Sequence, residues 1–298
     1  MMVTRDPSPQ LRPFVKAMWA TDGRPPGGGP ESEPRPSPVP RRERVLPSGT
    51  MHVVFRLSDD PLRLFEDEND PVGHVVGHCI VGGARSAYYV RDISRPARSI
   101  GVQFHPGVAE RLLGVPAGEL MEHHTPLEDV WGRAAPEIRE RLELAGSPER
   151  SLALLDTILS ERLGVVRARG PHPLVTRALA LFEATTDVRR VVDASGYSHR
   201  QFIARFRDAI GLTPKIYCRI LRFQRALGSV LQGGSASRGS WASWADLAMA
   251  AGYADQAHFN REFRAFSGIT PGRYRDLAPP WSHHVPIPSA AEPSPIRR

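Results

Sequence analysis

Two cysteines, Cys79 and Cys218, are all that the 298 residues provide. They form no disulfide framework and no Cys-x-x-Cys knuckle, which suits a reducing compartment. No stretch approaches the roughly 18 consecutive apolar residues of a membrane span. The opening MMVTRDPSPQLRPF lacks the apolar run of a secretion signal. Gly-rich phosphate loops and nucleophile elbows are missing as well. His105-Pro106 and His123-His124 have no nucleophile beside them in a recognisable arrangement. These absences point to a cytoplasmic protein with no membrane partner, no cofactor and no enzymatic activity. A hydrophobic content of 41% supports packed cores, and the length suits two ordinary domains.

Charge is distributed unevenly. The net charge is +7, and residues 172–277 hold fifteen Lys and Arg against eight Asp and Glu. The remainder carries 24 of each sign, so the whole excess sits on that segment. A basic domain beside a neutral one suggests a polyanion-binding module joined to something else.

Residues 23–40, GRPPGGGPESEPRPSPVP, read as a flexible excursion, because Pro and Gly sustain neither helix nor central strand. From Arg44 to His105 the short apolar runs MHVVFRL, LRLF, HVVGHCIVGG, AYYV and SIGVQF are parted by turn-forming clusters. That spacing predicts an antiparallel sheet or barrel. GVAERLLG, LEDVWG, PEIRERLELAG and SPERSLALLDTILSERL then show helical periodicity. The fold class expected is α+β. A β-rich domain with trailing helices spans 1–164, a linker 165–171, an all-α domain of about seven helices 172–277 and a disordered tail 278–298.

The all-α segment says one phrase twice. GYSHRQFIARFRDAIGLTPKIY begins at Gly196, and GYADQAHFNREFRAFSGITPGRY begins at Gly252. Each is a Gly-containing turn, a helix with an i, i+4 Phe pair, and a Thr-Pro that restarts the chain. This is the grammar of a helix-turn-helix, in which the second helix offers its outer face to the major groove. In the first copy His199, Arg200, Ile203, Ala204 and Arg207 point outward. In the second the set is Gln256, Ala257, Asn260, Arg261 and Arg264, with His258 at the flank. Gln pairs bidentately with adenine and Arg with guanine, so Gln256 and Arg261 are the leading base readers. His199, Arg207, Asn260 and Arg264 are candidates for phosphate contacts, joined by the basic stripe Lys215, Arg219 and Arg222 of the long helix between the copies. About 17 residues of that helix span about 26 Å, so two units could reach groove segments about 34 Å apart.

These residues resemble the DNA-binding domain of the AraC/XylS family of bacterial transcription regulators. The matching text is Ala194-Ser195-Gly196-Tyr197, Phe202-x3-Phe206 and Gly211-Leu212-Thr213-Pro214. It continues as Ala248-x2-Ala251-Gly252-Tyr253, His258-Phe259-x3-Phe263 and Gly268-Ile269-Thr270-Pro271-x2-Tyr274. The resemblance implies two helix-turn-helix units on a linker helix and control of transcription initiation, more often activation than repression. By position it assigns base reading to Arg200, Ile203, Ala204, Gln256, Ala257, His258 and Arg261. Ile203 and Ala204 replace polar readers, and GGSASRGSWAS lengthens the joint before the second unit. Upstream, LRPFVKAMW, RVLPSGTMHVVFRL, VGGARS and LLGVPAGELMEHHTPLEDVWG resemble a sensor region found ahead of such domains in actinobacteria. That implies a cupin-like regulatory domain with an unknown effector.

The partners expected are double-stranded DNA, RNA polymerase, a small-molecule effector and a second copy through the N-terminal domain. A rival reading is a ligand-binding or catalytic β-barrel that the helical domain merely tethers to DNA. His74, His78 and Cys79 fall among glycines without a fourth ligand, so a half-buried strand is preferred there to a metal site. Trp19, His52, Phe55, Tyr88, Tyr89 and Phe104 line either an effector pocket or a core.

Overall fold

The computed structural model describes residues 2–23, 41–165, 172–232 and 243–288. Nearly all of the Pro/Gly excursion, hinge residues 166–171 and most of the Gly/Ser joint lie outside them.

Alternation of apolar residues builds two antiparallel sheets. The first runs β1-β2-β9-β4-β7-β10, with β1 Met2–Arg5, β2 Val15–Asp22, β9 Arg98–Phe104, β4 His52–Arg56, β7 Cys79–Gly82 and β10 His124–Pro126. The second runs β11-β3-β8-β5-β6, with β11 His284–Ile287, β3 Arg42–Val45, β8 Tyr89–Asp92, β5 Leu62–Phe65 and β6 His74–Gly77. Val53, Phe55, Val81, Ile100, Val102 and Phe104 are fully buried on one face of the first sheet. Helices α3, Ala134–Leu144, and α4, Pro148–Val165, pack their apolar stripes into the same core. The short helices α1, Glu110–Leu113, and α2, Glu128–Trp131, and a 3-10 turn over Ala117–Glu119, link strands to helices. Across the other face Ile80 meets Leu62 and Leu64 in a small separate cluster, so the sheets lie face to face.

The second region holds α5 Pro173–Ala184, α6 Val188–Ser195, α7 His199–Ile210, α8 Pro214–Gln232, α9 Trp244–Ala250, α10 Gln256–Ser267 and α11 Pro271–Leu277. The predicted β-then-α order therefore stands. One strand that the apolar runs do not mark is β3, whose sequence RERV offers a single apolar residue.

The tail corrects an expectation. The prolines of residues 279–288 predict a disordered terminus, but β11 pairs antiparallel with β3 from His284↔Val45 to Ile287↔Arg42. Its Pro286 occupies the edge strand of the sheet, where a missing N–H is tolerated. Val285 is fully buried, and the Tyr274 hydroxyl donates to the Ser282 carbonyl at 2.8 Å. The segment thus returns to the N-terminal sheet. Residues 289–298 lie outside the described part.

Candidate DNA-binding surface

Each unit is set by local chemistry. Ser198 and Gln201 form a reciprocal capping box at the start of α7, satisfying helix N–H groups that otherwise lack partners. At the start of α10 the Asp255 carboxylate accepts from His258 N at 2.6 Å. Both helices end at a left-handed glycine, Gly211 and Gly268. Thr213 and Thr270 then cap α8 and α11 through Ile216 N and Arg273 N.

The repeated phenylalanines fix which face each reader helix buries. Phe202 and Phe206 are fully enclosed, and Phe206 meets Phe182 and Tyr217 edge-on at 5.7 and 5.6 Å. Phe259, Phe263 and Phe266 take the same part in α10, with Phe223 of α8 5.3 Å from Phe263 and 5.1 Å from Phe266. The opposite faces are thereby turned out. His199, Arg200, Ala204 and Arg207 are exposed on α7, and Ile203 is half-buried. Gln256, Ala257, Asn260, Arg261 and Arg264 are exposed on α10. His258 is half-buried, its ring 5.4 Å from that of Tyr253.

The basic stripe of α8 is divided by its contacts. Lys215 is exposed, but Arg219 makes a bidentate pair with Glu262 of α10, at 2.8 Å through Nε and 2.7 Å through Nη2. Its guanidinium also lies 5.2 Å over the Phe266 ring. Arg222 donates to the Gly252 carbonyl at 3.4 Å and sits 5.5 Å over Tyr253. Both arginines therefore brace the second unit against the linker helix. The pair holds the Glu262 carboxyl below its usual range through the Arg219 hydrogen bonds. The clue in the sequence is that Glu262 is the one acid in α10. Among the described residues, Arg200, Arg261 and Arg264 enter no ion pair.

The two regions touch at defined points. The last turn of α7 rests on the 3-10 turn, where a Cβ added to Gly118 would come 3.1 Å from the Asp208 backbone. Arg207 Nε donates to Met121 Sδ at 3.3 Å, so this predicted phosphate ligand is engaged at the seam. Gln224 of α8 donates to the Pro47 carbonyl at 2.5 Å, and its Oε1 lies 2.6 Å from His283 Nε2. One buried cluster runs through both regions, from Phe55 and Phe104 to Phe206 and Phe263. The residues offered as pocket or core divide accordingly. Phe55 and Phe104 are core, His52 and Tyr89 stand between the sheets, Trp19 lies over Gly101 of β9, and Tyr88 abuts Gly268. His78 donates to the Asp59 carbonyl at 3.0 Å, while Cys79 is buried and His74 exposed.

Residues 191–276 match the profile of a helix-turn-helix domain family, and residues 3–126 match a domain of unknown function, DUF6597. No curated protein matches the chain. Among solved structures, ToxT from Vibrio cholerae O395 bound to (E)-4-(8-methylnaphthalen-1-yl)but-3-enoic acid has a TM-score of 0.44 at 11% identity, covering 80% of this chain and 98% of that one. A second structure of ToxT from Vibrio cholerae O395 has a TM-score of 0.42 at 10% identity, over 79% of this chain and 95% of that one. No helix is long and apolar enough to cross a membrane among the described residues. With the twin phenylalanine-anchored units, their caps and the matched profile in place, the chain carries a C-terminal helix-turn-helix domain of the AraC type behind a β-rich domain.

Proposed function

We propose that this protein is an effector-responsive transcription regulator that places α7 and α10 in successive major-groove segments of one operator. The observation that carries the reading is the contrast on α10. Its apolar face is locked by three phenylalanines and the Arg219–Glu262 brace, while Gln256, Ala257, Asn260, Arg261 and Arg264 remain exposed. A fixed helix with an exposed polar face is suited to base readout. Gln256 and Arg261 act as base readers there, and Asn260 and Arg264 hold phosphates. The first unit anchors more than it reads, through His199, Arg200 and Lys215, with Ile203 and Ala204 offering only apolar contact to a thymine methyl.

Residues 3–126 supply the sensing part, and the seam between Gly118 and Asp208 is where it acts on the first reader helix. Activation with RNA polymerase, and pairing of two copies through the β-rich region, complete the proposal. The test is a mobility-shift titration on DNA upstream of the protein's own gene. A complex that competitor DNA does not remove, and that weakens steeply with salt, is expected. Loss of all preference over competitor DNA at every salt and effector condition would refute it. Turnover of a small molecule by the full chain would favour the tethered-enzyme rival.

A further inference from the structure

Between the two sheets stands a polar group that DNA binding does not use. It combines His52 from β4, Arg85 from the loop after β7, Tyr89 from β8 and His124 from β10. His124 lies edge-on to Tyr89 with ring centroids 4.3 Å apart, and 5.9 Å from His52. The Arg85 guanidinium lies 5.3 Å over the Tyr89 ring. The sheet is shaved to receive them: a Cβ on Gly82 would lie 2.1 Å from the His52 ring.

The charges in this group do not balance. Arg91 nearby is neutralised by Glu43, whose Oε1 lies 2.5 Å from Arg91 Nε. Arg85 has no carboxylate within ion-pair distance among the described residues. The adjacent Glu122 turns its carboxylate to Ser86 N, at 2.9 and 3.1 Å, and gives Arg85 Nη1 only its backbone carbonyl, at 2.6 Å. Arg85 Nε is buried without a partner.

His124 completes the argument. Arg85 Nη1 lies 3.5 Å from His124 Nδ1, and a guanidinium only donates, so Nδ1 is the acceptor. Burial keeps the ring uncharged by pushing its pKa well below the usual value. Its single proton therefore sits on Nε2, which is also buried without a partner. Two N–H donors, one on a cation that the Glu122 carboxylate influences only from beyond ion-pair distance, stand in one contact group. Each unpaired buried donor forfeits the hydrogen bond it would make to water, a larger loss when the donor is charged. A merely structural role offsets none of that cost.

We propose that this intersheet group is a binding site for a small organic monocarboxylate, whose oxygens accept from Arg85 and from His124 Nε2. One guanidinium without a directly paired carboxylate matches a monoanion. The cationic Arg85 repels a metal ion, and a neutral ligand leaves that charge unmatched. The Tyr89 ring and the apolar cluster it packs on, Leu62, Leu64 and Ile80, favour an acid with an apolar body. The regulatory meaning of the site rests on the sensing role proposed above; binding itself does not.

Calorimetry on the full chain tests this with benzoate, butyrate and octanoate, against benzamide and benzylamine as uncharged and cationic matches to benzoate. Saturable binding of at least one acid is expected, at least about tenfold tighter than its uncharged counterpart. Arg85→Gln and His124→Phe should each lose about tenfold or more, and Arg85→Lys should retain part of the affinity. Arg95→Gln, on an exposed arginine, is the control with unchanged affinity. Circular dichroism confirms that each variant is folded. The proposal is overturned if no acid binds saturably, or if a folded Arg85→Gln binds the acids as well as the parent does. Binding that leaves operator occupancy unchanged would support the site and count against the sensing role alone.

Discussion

Removing Arg219 separates a brace from a phosphate ligand. Its guanidinium and the Glu262 carboxylate share two short hydrogen bonds, with side-chain exposures of 29% and 15%. Charge-assisted hydrogen bonds contribute about 1.5–3 kcal/mol, and partial exposure of both groups discounts that to about 1–2 kcal/mol. Arg219→Gln should therefore destabilise the folded chain by about 1–2 kcal/mol in urea titration. Glu262→Gln should cost a similar amount, and the double variant should cost less than the sum of the singles. Affinity for DNA should fall for all sequences alike, because α10 is less firmly seated. The dependence of log affinity on log salt should keep its slope. A true phosphate ligand would behave oppositely, with stability intact and the slope reduced by about 0.9 for each phosphate no longer neutralised. That pattern would refute the brace.

Other outcomes can be checked with the same material. Arg261→Ala should weaken specific binding by about 1–3 kcal/mol and relax preference at one base position, read by competition with operator variants. Gly118→Val should strain the seam, since even a Cβ there meets the Asp208 backbone at 3.1 Å; faster limited proteolysis of the full chain would report it. Stability should decline on acidification from about pH 6.5 toward pH 4. Desolvation depresses His52 and His283 to about 4, so the folded state resists protons that the unfolded chain accepts. The contribution is complete above the ordinary imidazole range and disappears as pH falls through the folded values, which thermal melts at stepped pH would follow. Deleting residues 281–298 should expose the β3 edge and bare the site of Val285, at a cost of about 1.5–3 kcal/mol for that side chain alone. Hydrogen exchange at Arg42–Val45 should accelerate.

The helical half is legible in the sequence because its signals are local. Phe-x3-Phe, the Thr-Pro restarts and the capping residues each act within one turn of helix, and the structure places them as the periodicity requires. The strands rich in Val and Ile are equally plain. What the sequence hides depends on partners far along the chain. Nothing in RERV marks it as a strand until Tyr89–Asp92 and His284–Ile287 lie on either side of it. The stripe of Lys215, Arg219 and Arg222 reads as one basic face on a helical wheel. Only the packing of Glu262, 43 residues beyond Arg219, divides it into an exposed lysine and two structural arginines. The intersheet group is hidden in part. His52 and Tyr89 are already among the pocket-or-core residues of the sequence, but Arg85 and His124 join them only when β10 pairs with β7.

The returning strand has a consequence for synthesis. β3 leaves the ribosome long before β11, with 241 residues separating Glu43 from its partner His284. At about 5–20 residues per second that interval is on the order of 12–48 s. Throughout it the hydrogen-bonding edge of Arg42–Val45 is open, and Glu43 has Arg91 but not His284 beside it. Closing so long a loop adds little free energy, because the cost rises only with the logarithm of length. Delay is the larger effect. A nascent chain therefore holds its β-rich region one strand short until the reading helices have been made, and a chain that terminates early never completes that sheet.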